Sequence, residues 1–328
     1  MSPSPDDCNV FVDAGTTNTR VWLLHGDEIL ARAATGVGVR DTARDGSPTR
    51  LRSALRDLIS QVCSDAQSAP SCVVAAGMIT SSLGLVEVPH LTAPAGVSEL
   101  SKAVRTYHFP EITHLPIRLV PGIRSGSIHC TVDTIGSADV IRGEEVLCMG
   151  LVARGNLKAR STLLNLGSHW KVISLDDACR IASSVTTLSG EMIHSVQTHT
   201  ILASAVPSER LDSLDETWIE GGMREQRRSG LARALFCVRL LEQRTESLPE
   251  HRLAFLVGAF VSADLDAMIA RGTFANDEPV AIVGARAVAE AWKYALRQQS
   301  VNATIINECD VEAGLLSGLQ LVGLPGFL

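Results

Sequence analysis

The sequence predicts a doubly wound α/β protein built as two domains. Short β-rich apolar runs alternate with helical patterns in both halves, the order that gives parallel sheets with helical crossovers. A hairpin with a polar turn spans residues 9–24 and its design returns at 161–175, about 150 residues later, which points to two related domains. At 328 residues, 45% hydrophobic and 20% charged, the chain has ample material for packed cores and does not resemble a disordered one.

In the first hairpin, Val10 to Val12 and Val21 to Leu24 flank the turn Asp13-Ala14-Gly15-Thr16-Thr17-Asn18-Thr19-Arg20. Asp, Gly, Thr and Asn are ordinary turn residues, so Asp13 could simply satisfy its own turn. The same pattern suits a phosphate and Mg²⁺ site. A carboxylate at a strand end can hold a hydrated cation, and the Gly-Thr-Thr backbone can offer N–H groups to an anion. In the second hairpin Asn165 takes the place of Asp13, Gly167 that of Gly15 and Ser168 that of Thr16. Two such loops suggest a shared cleft.

A third strand is expected at 28–33, then a loop through Gly36 and Gly38, where the glycines signify no more than a turn. Leu51, Leu55, Leu58, Ile59 and Val62 recur at helical spacing after Ser47 and Pro48. Residues 71–77 read as a buried strand parallel to the first. The loop Gly77-Met78-Ile79-Thr80-Ser81-Ser82 then falls at the strand end where open α/β sheets bind ligands. Residues 107–126 are loop-rich, with one strand at 117–120 ended by Pro121-Gly122. A helix is expected from Arg142-Gly143-Glu144-Glu145 onward, and the domains divide as 1–136 and 137–328. Beyond the second hairpin come a strand at 180–185, a helix after Ser189-Gly190-Glu191, helical sequence over 208–250, and a buried helix at 253–268. A strand at 280–284, a helix from Ala285, a strand at 303–306 and a helix at 311–321 complete the chain.

The net charge of −7, without a basic stripe, argues against nucleic acid or anionic membrane as general partners. Eight scattered cysteines without a Cys-x-x-Cys pair fit buried free thiols in a reducing cytosol. The acidic opening segment lacks the regions of a signal peptide, and the longest apolar stretch, 253–263, is too short to span a bilayer. The expectation is a soluble, cytoplasmic protein, with a homodimer left open.

The turn at 13–20 resembles the first phosphate motif of the sugar kinase, hexokinase, actin and Hsp70 superfamily. Within it the chain is similar to the 2-dehydro-3-deoxygalactonokinase family. The supporting stretches, in family order, are Gly77-Met78-Ile79-Thr80-Ser81, Pro89-His90-Leu91 with Pro94-Ala95, Val140-Ile141-Arg142-Gly143-Glu144-Glu145, Gly167-Ser168-His169-Trp170-Lys171 and Ser189-Gly190-Glu191. The resemblance implies two ribonuclease H-like domains around a cleft. It also implies an ATP-dependent, Mg²⁺-requiring kinase that phosphorylates the 6-hydroxyl of 2-dehydro-3-deoxy-D-galactonate.

On that resemblance Asp13 would hold Mg²⁺, with Gly15, Thr16 and Thr17 facing the phosphates from one domain and Gly167 and Ser168 from the other. Lys171 or Arg20 could add positive charge, though each suits a surface ion pair equally. Gly284, Ala285 and Arg286 resemble an adenosine site. The base sits at the start of the helix before the second hairpin in related kinases, which favours Glu144, with Glu145 and Asp139 as the other carboxylates in reach. Glu144 could also be a first-turn residue serving the helix dipole. Ser81, Ser82, Arg142 and Glu191 fall on the substrate side. Arg142 is suited to gripping a carboxylate in bidentate fashion or to pairing with a neighbouring Glu, and Ser189 and Glu191 could be helix caps.

Ser82, Leu85, Val146 and Trp170 depart from the family pattern. They motivate a first rival, a kinase for a different sugar or sugar acid. A second rival is a catalytically silent nucleotide-binding sensor of the same fold, against which stands the retention of Asp13 and Glu144. A sugar-responsive transcription regulator fits less well, because the hairpin begins by residue nine.

Overall fold

The computed structural model describes residues 8–209, 211–274, 278–324 and 326; the opening segment 1–7, which bears on the signal-peptide expectation, lies outside them. Contacts group the chain into two compact units, one of residues 1–159, 175–184 and 309–328 and the other of 160–174 and 185–308.

The first unit opens with an antiparallel meander, β1 (Cys8–Ala14), β2 (Thr19–His25) and β3 (Glu28–Thr35). Two helices follow, α1 (Val39–Asp45) and α2 (Thr49–Ala66), and the chain returns as β4 (Val73–Gly77), parallel to β1. A 3₁₀ turn at Met78–Thr80 leads to β5 (Leu91–Thr92), α3 (Val97–Ala103), β6 (Arg105–Tyr107), β7 (Ile117–Leu119) and β8 (Ile123–Ser125). Then come β9 (Asp139–Ile141) and α4 (Glu144–Ala153). The main sheet has the order β3-β2-β1-β4-β7-β6, and β5-β8-β9 form a small one.

The second half builds a five-stranded sheet in the order β12-β11-β10-β13-β14. Its strands are β10 (Thr162–Leu166), β11 (Trp170–Leu175), β12 (Ile181–Thr187), β13 (Val280–Gly284) and β14 (Ala303–Ile305). Between them lie α5 (Ser189–His199), α6 (Glu216–Ser229), α7 (Leu231–Arg244), α8 (Pro249–Ala270) and α9 (Arg286–Gln298). The last helix, α10 (Glu308–Gly323), belongs to the first unit from Cys309 onward.

Strand alternation explains why the first sheet needs helices on both faces. Val10, Val12, Val21 and Leu23 pack with Leu51, Leu55, Leu58 and Val62 of α2. On the other face α10 is pinned by the Trp22 indole N–H, which donates to Glu312 at 2.9 Å, and by the Gln320 amide, which donates to the Gly26 carbonyl at 2.7 Å. Gly323 packs so closely that a Cβ there would lie 2.2 Å from a Val74 methyl. The expected boundary at 136/137 falls inside this unit, because α4 packs against α10.

Helix α8 is longer than expected. Its 22 residues, with a hydropathy of 1.8 over the most apolar window, would suffice by length and composition to cross a membrane, contrary to the reading of 253–263 as too short. Two thirds of that window is buried, and Leu256, Phe260, Val261 and Leu265 are inaccessible parts of the second core. Each such side chain stabilises the fold by about 1.5–3 kcal/mol. The cysteines also differ from expectation: all eight are free, but Cys72 and Cys148 are buried whereas Cys130 and Cys309 are exposed.

Candidate active site

Asp13 is the penultimate residue of β1 and lies opposite Arg20 across the hairpin. The Arg20 guanidinium donates to one Asp13 oxygen at 2.6 Å through Nη2 and at 3.2 Å through Nε. Of the two roles open to Arg20, phosphate contact and ion pair, the ion pair is what forms. Beyond Asp13 the loop's acceptors are drawn into the protein. Gly15 N–H donates to the Asn18 carbonyl at 2.8 Å, and the amides of Val39 and Arg40 donate to the carbonyls of Gly15 and Thr16 at 3.3 and 2.9 Å. Gly38 makes that approach feasible, since a Cβ there would sit 2.5 Å from the Thr16 carbonyl oxygen.

Two glycines then bring the start of α4 to Asp13. Gly77 ends β4 with φ of 88°, a conformation favouring glycine, and a Cβ on it would lie 2.6 Å from the Ala14 carbonyl oxygen and 3.3 Å from Asp13 Oδ1. Gly143, with φ of 104°, stacks directly on Gly77: its Cβ position is 3.3 Å from Gly77 Cα and 4.0 Å from Asp13 Oδ1. The residue after it is Glu144, half-buried in the first turn of α4. Glu145 is fully buried, and its two carboxylate oxygens accept from Gly143 N–H at 2.9 and 2.8 Å, so it caps its own helix. Asp139 sits opposite Ser125 in the small sheet.

The second hairpin repeats this construction. Asn165 pairs with Lys171, and Leu166 lies beside Gly284 of the parallel strand β13, as Ala14 lies beside Gly77. Gly284 has φ of 143°, and a Cβ there would meet Leu166 Cβ at 2.6 Å. Gly190 plays the part of Gly38, with its Cβ position 2.3 Å from the Gly167 carbonyl oxygen, and Glu191 N–H donates to the Ser168 carbonyl at 2.7 Å. Glu191, expected on the substrate side, lies beside this hairpin, with His169 Nε2 3.1 Å from its carboxylate. Gly284, Ala285 and Arg286 are exposed at the β13–α9 turn.

The model of the 2-keto-3-deoxy-galactonokinase family matches residues 13–318, a span that takes in both hairpins and the Gly77–Gly143 contact. The chain belongs to this family. Among its relatives, 2-dehydro-3-deoxygalactonokinase of Escherichia coli (strain K12) is 24% identical over 311 residues, covering 94% of this chain and 96% of the relative. A Rhizobium meliloti (strain 1021) protein assigned as 2-dehydro-3-deoxygalactonokinase DgoK1 is 26% identical over 318 residues, covering 95% and 96%. In fold, the chain resembles a Sinorhizobium meliloti crystal structure assigned to the same activity, with a TM-score of 0.76 at 21% identity and 96% of each chain covered. It also resembles component A of (R)-2-hydroxyglutaryl-CoA dehydratase from Acidaminococcus fermentans, with a TM-score of 0.52 at 14% identity and 97% of each chain covered. The fold is thus α/β with two ribonuclease H-like domains of the actin, hexokinase and Hsp70 type.

The family stretches 77–81 and 89–91 meet the third, 140–145, at Arg142. Its Nη1 donates to Thr80 Oγ1 at 2.7 Å, and its Nη2 donates to the Val88 carbonyl at 3.0 Å and lies 3.4 Å from His90 Nδ1. Burial lowers the Arg142 pKa, with Glu145 and Glu87 opposing that shift. Burial and then the charges of Arg142 and Arg124 depress His90 from 6.5 to about 4. Ser81 donates its hydroxyl to the Met78 carbonyl at 2.7 Å within the 3₁₀ turn, and Ser82 is exposed. Of the positions that depart from the family pattern, Leu85, Val146 and Trp170 are buried in the cores, and Trp170 packs edge-on against Trp292 at 5.6 Å. The close approaches at Gly38, Gly77 and Gly190 are not marked by the turn, strand-end and motif signals that the sequence carries there. The parallel between Val73-Val74-Ala75-Ala76-Gly77 and Val280-Ala281-Ile282-Val283-Gly284 was the signal in the sequence that could have paired the strand-end glycines.

His90 provides a measurable consequence. Its folded pKa lies below its unfolded value, so the unfolded chain takes up the proton more readily. The stability tied to its neutral ring is fully present above about 6.5 and is lost as pH falls towards about 4. Urea unfolding midpoints across that range are expected to fall more steeply for the native chain than for His90→Asn. Parallel curves would contradict this.

Proposed function

We propose that this carbohydrate kinase transfers the γ-phosphoryl group of ATP to the 6-hydroxyl of 2-dehydro-3-deoxy-D-galactonate, with Glu144 as general base. The observation that carries the reading is the stacking of Gly143 on Gly77 beside Asp13, which brings a half-buried carboxylate at the start of α4 to the strand end that bears the first phosphate loop. Phosphoryl transfer requires positioning and charge neutralisation more than covalent chemistry, and a base to take the acceptor proton. Both Glu145 oxygens accept from Gly143 N–H and Asp139 lies on β9, whereas Glu144 directly follows the glycine that stacks on Gly77 beside Asp13, which makes it the best placed of the three carboxylates.

Asp13 fits a Mg²⁺ ion held largely through water, because that ion takes one or two carboxylates and keeps much of its shell. Bound there, the ion would neutralise charge on the terminal phosphates. Thr16 and Thr17 would direct N–H groups and hydroxyls to the phosphates, with Gly15, whose own N–H holds the turn through the Asn18 carbonyl, lining the approach, and the carbonyls of Gly15 and Thr16 being engaged inside the protein. In the second unit, Gly167 and Ser168 are assigned to phosphate, and Gly284 with Arg286 to the adenosine. The proposal includes a cytoplasmic location and no nucleic-acid or membrane partner.

A rival acceptor has little support from the sequence departures, since three of the four lie in the cores. The experiment is ADP release from the purified chain with ATP, with and without Mg²⁺, over a panel of keto-deoxy sugar acids, aldonates and neutral sugars. Mg²⁺-dependent turnover highest on 2-dehydro-3-deoxy-D-galactonate is expected. Turnover confined to another acceptor replaces the substrate, and ATP binding without turnover on any of them replaces the kinase reading with the sensor.

A further inference from the structure

Building on the kinase reading, we infer that Arg142 is a positioning residue held by Thr80 and His90, and not a clamp for the substrate carboxylate. A guanidinium can offer a parallel pair of N–H groups along two of its edges, and each of those edges uses one of the two Nη2 hydrogens. The acceptors of Nη2 are already in place: the Val88 carbonyl at 3.0 Å and His90 Nδ1 at 3.4 Å. The Nε hydrogen and the second Nη1 hydrogen lie on different edges, so a bidentate grip on a carboxylate would require breaking one of these contacts.

The arrangement around Arg142 is tight. A Cβ on Gly122 would fall 2.7 Å from Arg142 Cγ and 2.9 Å from His90 Cδ2, so the bare backbone at 122 packs against both side chains. Neutral His90 can accept at Nδ1, whereas a charged ring would place a second cation against Arg142. Thr80 accepts from Arg142 and passes its own hydrogen on to the Gly77 carbonyl at 3.0 Å. Gly77 touches Gly143, and Gly143 is bonded to Arg142. The ring Arg142–Thr80–Gly77–Gly143 therefore fixes the end of β4 against the start of α4. It sets where Glu144 begins relative to Asp13.

The test is steady-state kinetics of the full chain on the acceptor that it turns over best. Thr80→Val and His90→Leu are expected to lower kcat by about 10- to 100-fold, the scale of a small misplacement of reacting groups, with KM for the sugar acid changed by less than about twofold. Arg142→Gln should match them, and Arg142→Gln/Thr80→Val should be no worse than Arg142→Gln alone, because the two residues act through one ring. Thr80→Ser and His90→Asn, which restore an acceptor, should recover most of the activity. A tenfold or larger rise in KM for the sugar acid with kcat preserved in Arg142→Gln would overturn the inference, as would additive losses in the double variant. Native turnover on the acceptor panel decides the kinase reading separately. Should no acceptor be turned over, additivity of the same variants in acceptor-free ATP hydrolysis decides the inference.

Discussion

Glu144→Gln is expected to lower turnover by about 10²- to 10⁴-fold, the range lost when a positioned base is removed, while ATP still binds. Glutamine keeps the size of the half-buried side chain at the start of α4 and removes only its capacity to take a proton. The loss should appear in kcat and not in KM for ATP, because the interaction exists only as the acceptor proton leaves. Glu145→Gln provides the contrast. That carboxylate is buried and accepts from Gly143 N–H with both oxygens, so its loss should appear first as a lower unfolding midpoint. Single-turnover ADP formation with isothermal calorimetry for ATP separates the two. If Glu144→Gln retains more than a tenth of native kcat, the base lies elsewhere.

Gly150→Val should destabilise the first unit by about 3 kcal/mol or more, the upper end of overpacking costs. A Cβ at 150 would lie 1.7 Å from the Gly314 carbonyl oxygen and 2.7 Å from Gly318 N, and one at 318 would lie 1.9 Å from the Val146 carbonyl oxygen. Helices α4 and α10 thus meet backbone to backbone, and no side chain can swing aside. Helix propensity alone predicts the opposite sign, since replacing an interior helical glycine by alanine ordinarily gains about 0.5–1 kcal/mol. Steric conflict should win, and even Gly150→Ala should lower the urea midpoint. A midpoint equal to or above that of the native chain would mean that the two helices are not in contact. Because α4 begins at Glu144, Gly150→Val should also reduce activity in the molecules that remain folded.

The hairpins and parallel strands were legible because runs such as Val10–Val12 and Val280–Val283 are buried on both faces and carry a continuous apolar signal. Helices α1 and α3 escaped notice. They span seven residues each and begin at Gly38 and Gly96, whose N–H groups are met by Asp41 and Glu99, so local capping takes the place of an apolar period. The nearness of Asp13 to the start of α4 is made by glycines that no pattern marks, because a close approach leaves only an absent side chain in the sequence. Arg142 and Glu191 show the limit most clearly. Residue type left a carboxylate grip or an ion pair open for Arg142 and a substrate contact or a helix cap open for Glu191, and the partners beside them, Thr80, Val88 and His90 for one and His169 for the other, lie between 22 and 62 positions away along the chain.

The return of α10 to the first unit has a consequence for biosynthesis. Residues 160–174 and 185–308, which leave the ribosome before α10 exists, form a compact unit of their own. The meander made first must wait, with the Trp22 face of its sheet uncovered, until residues 309–323 emerge. The earliest part of the polypeptide is thus the last to be completed, and a nascent chain halted before position 309 would present that apolar surface to chaperones.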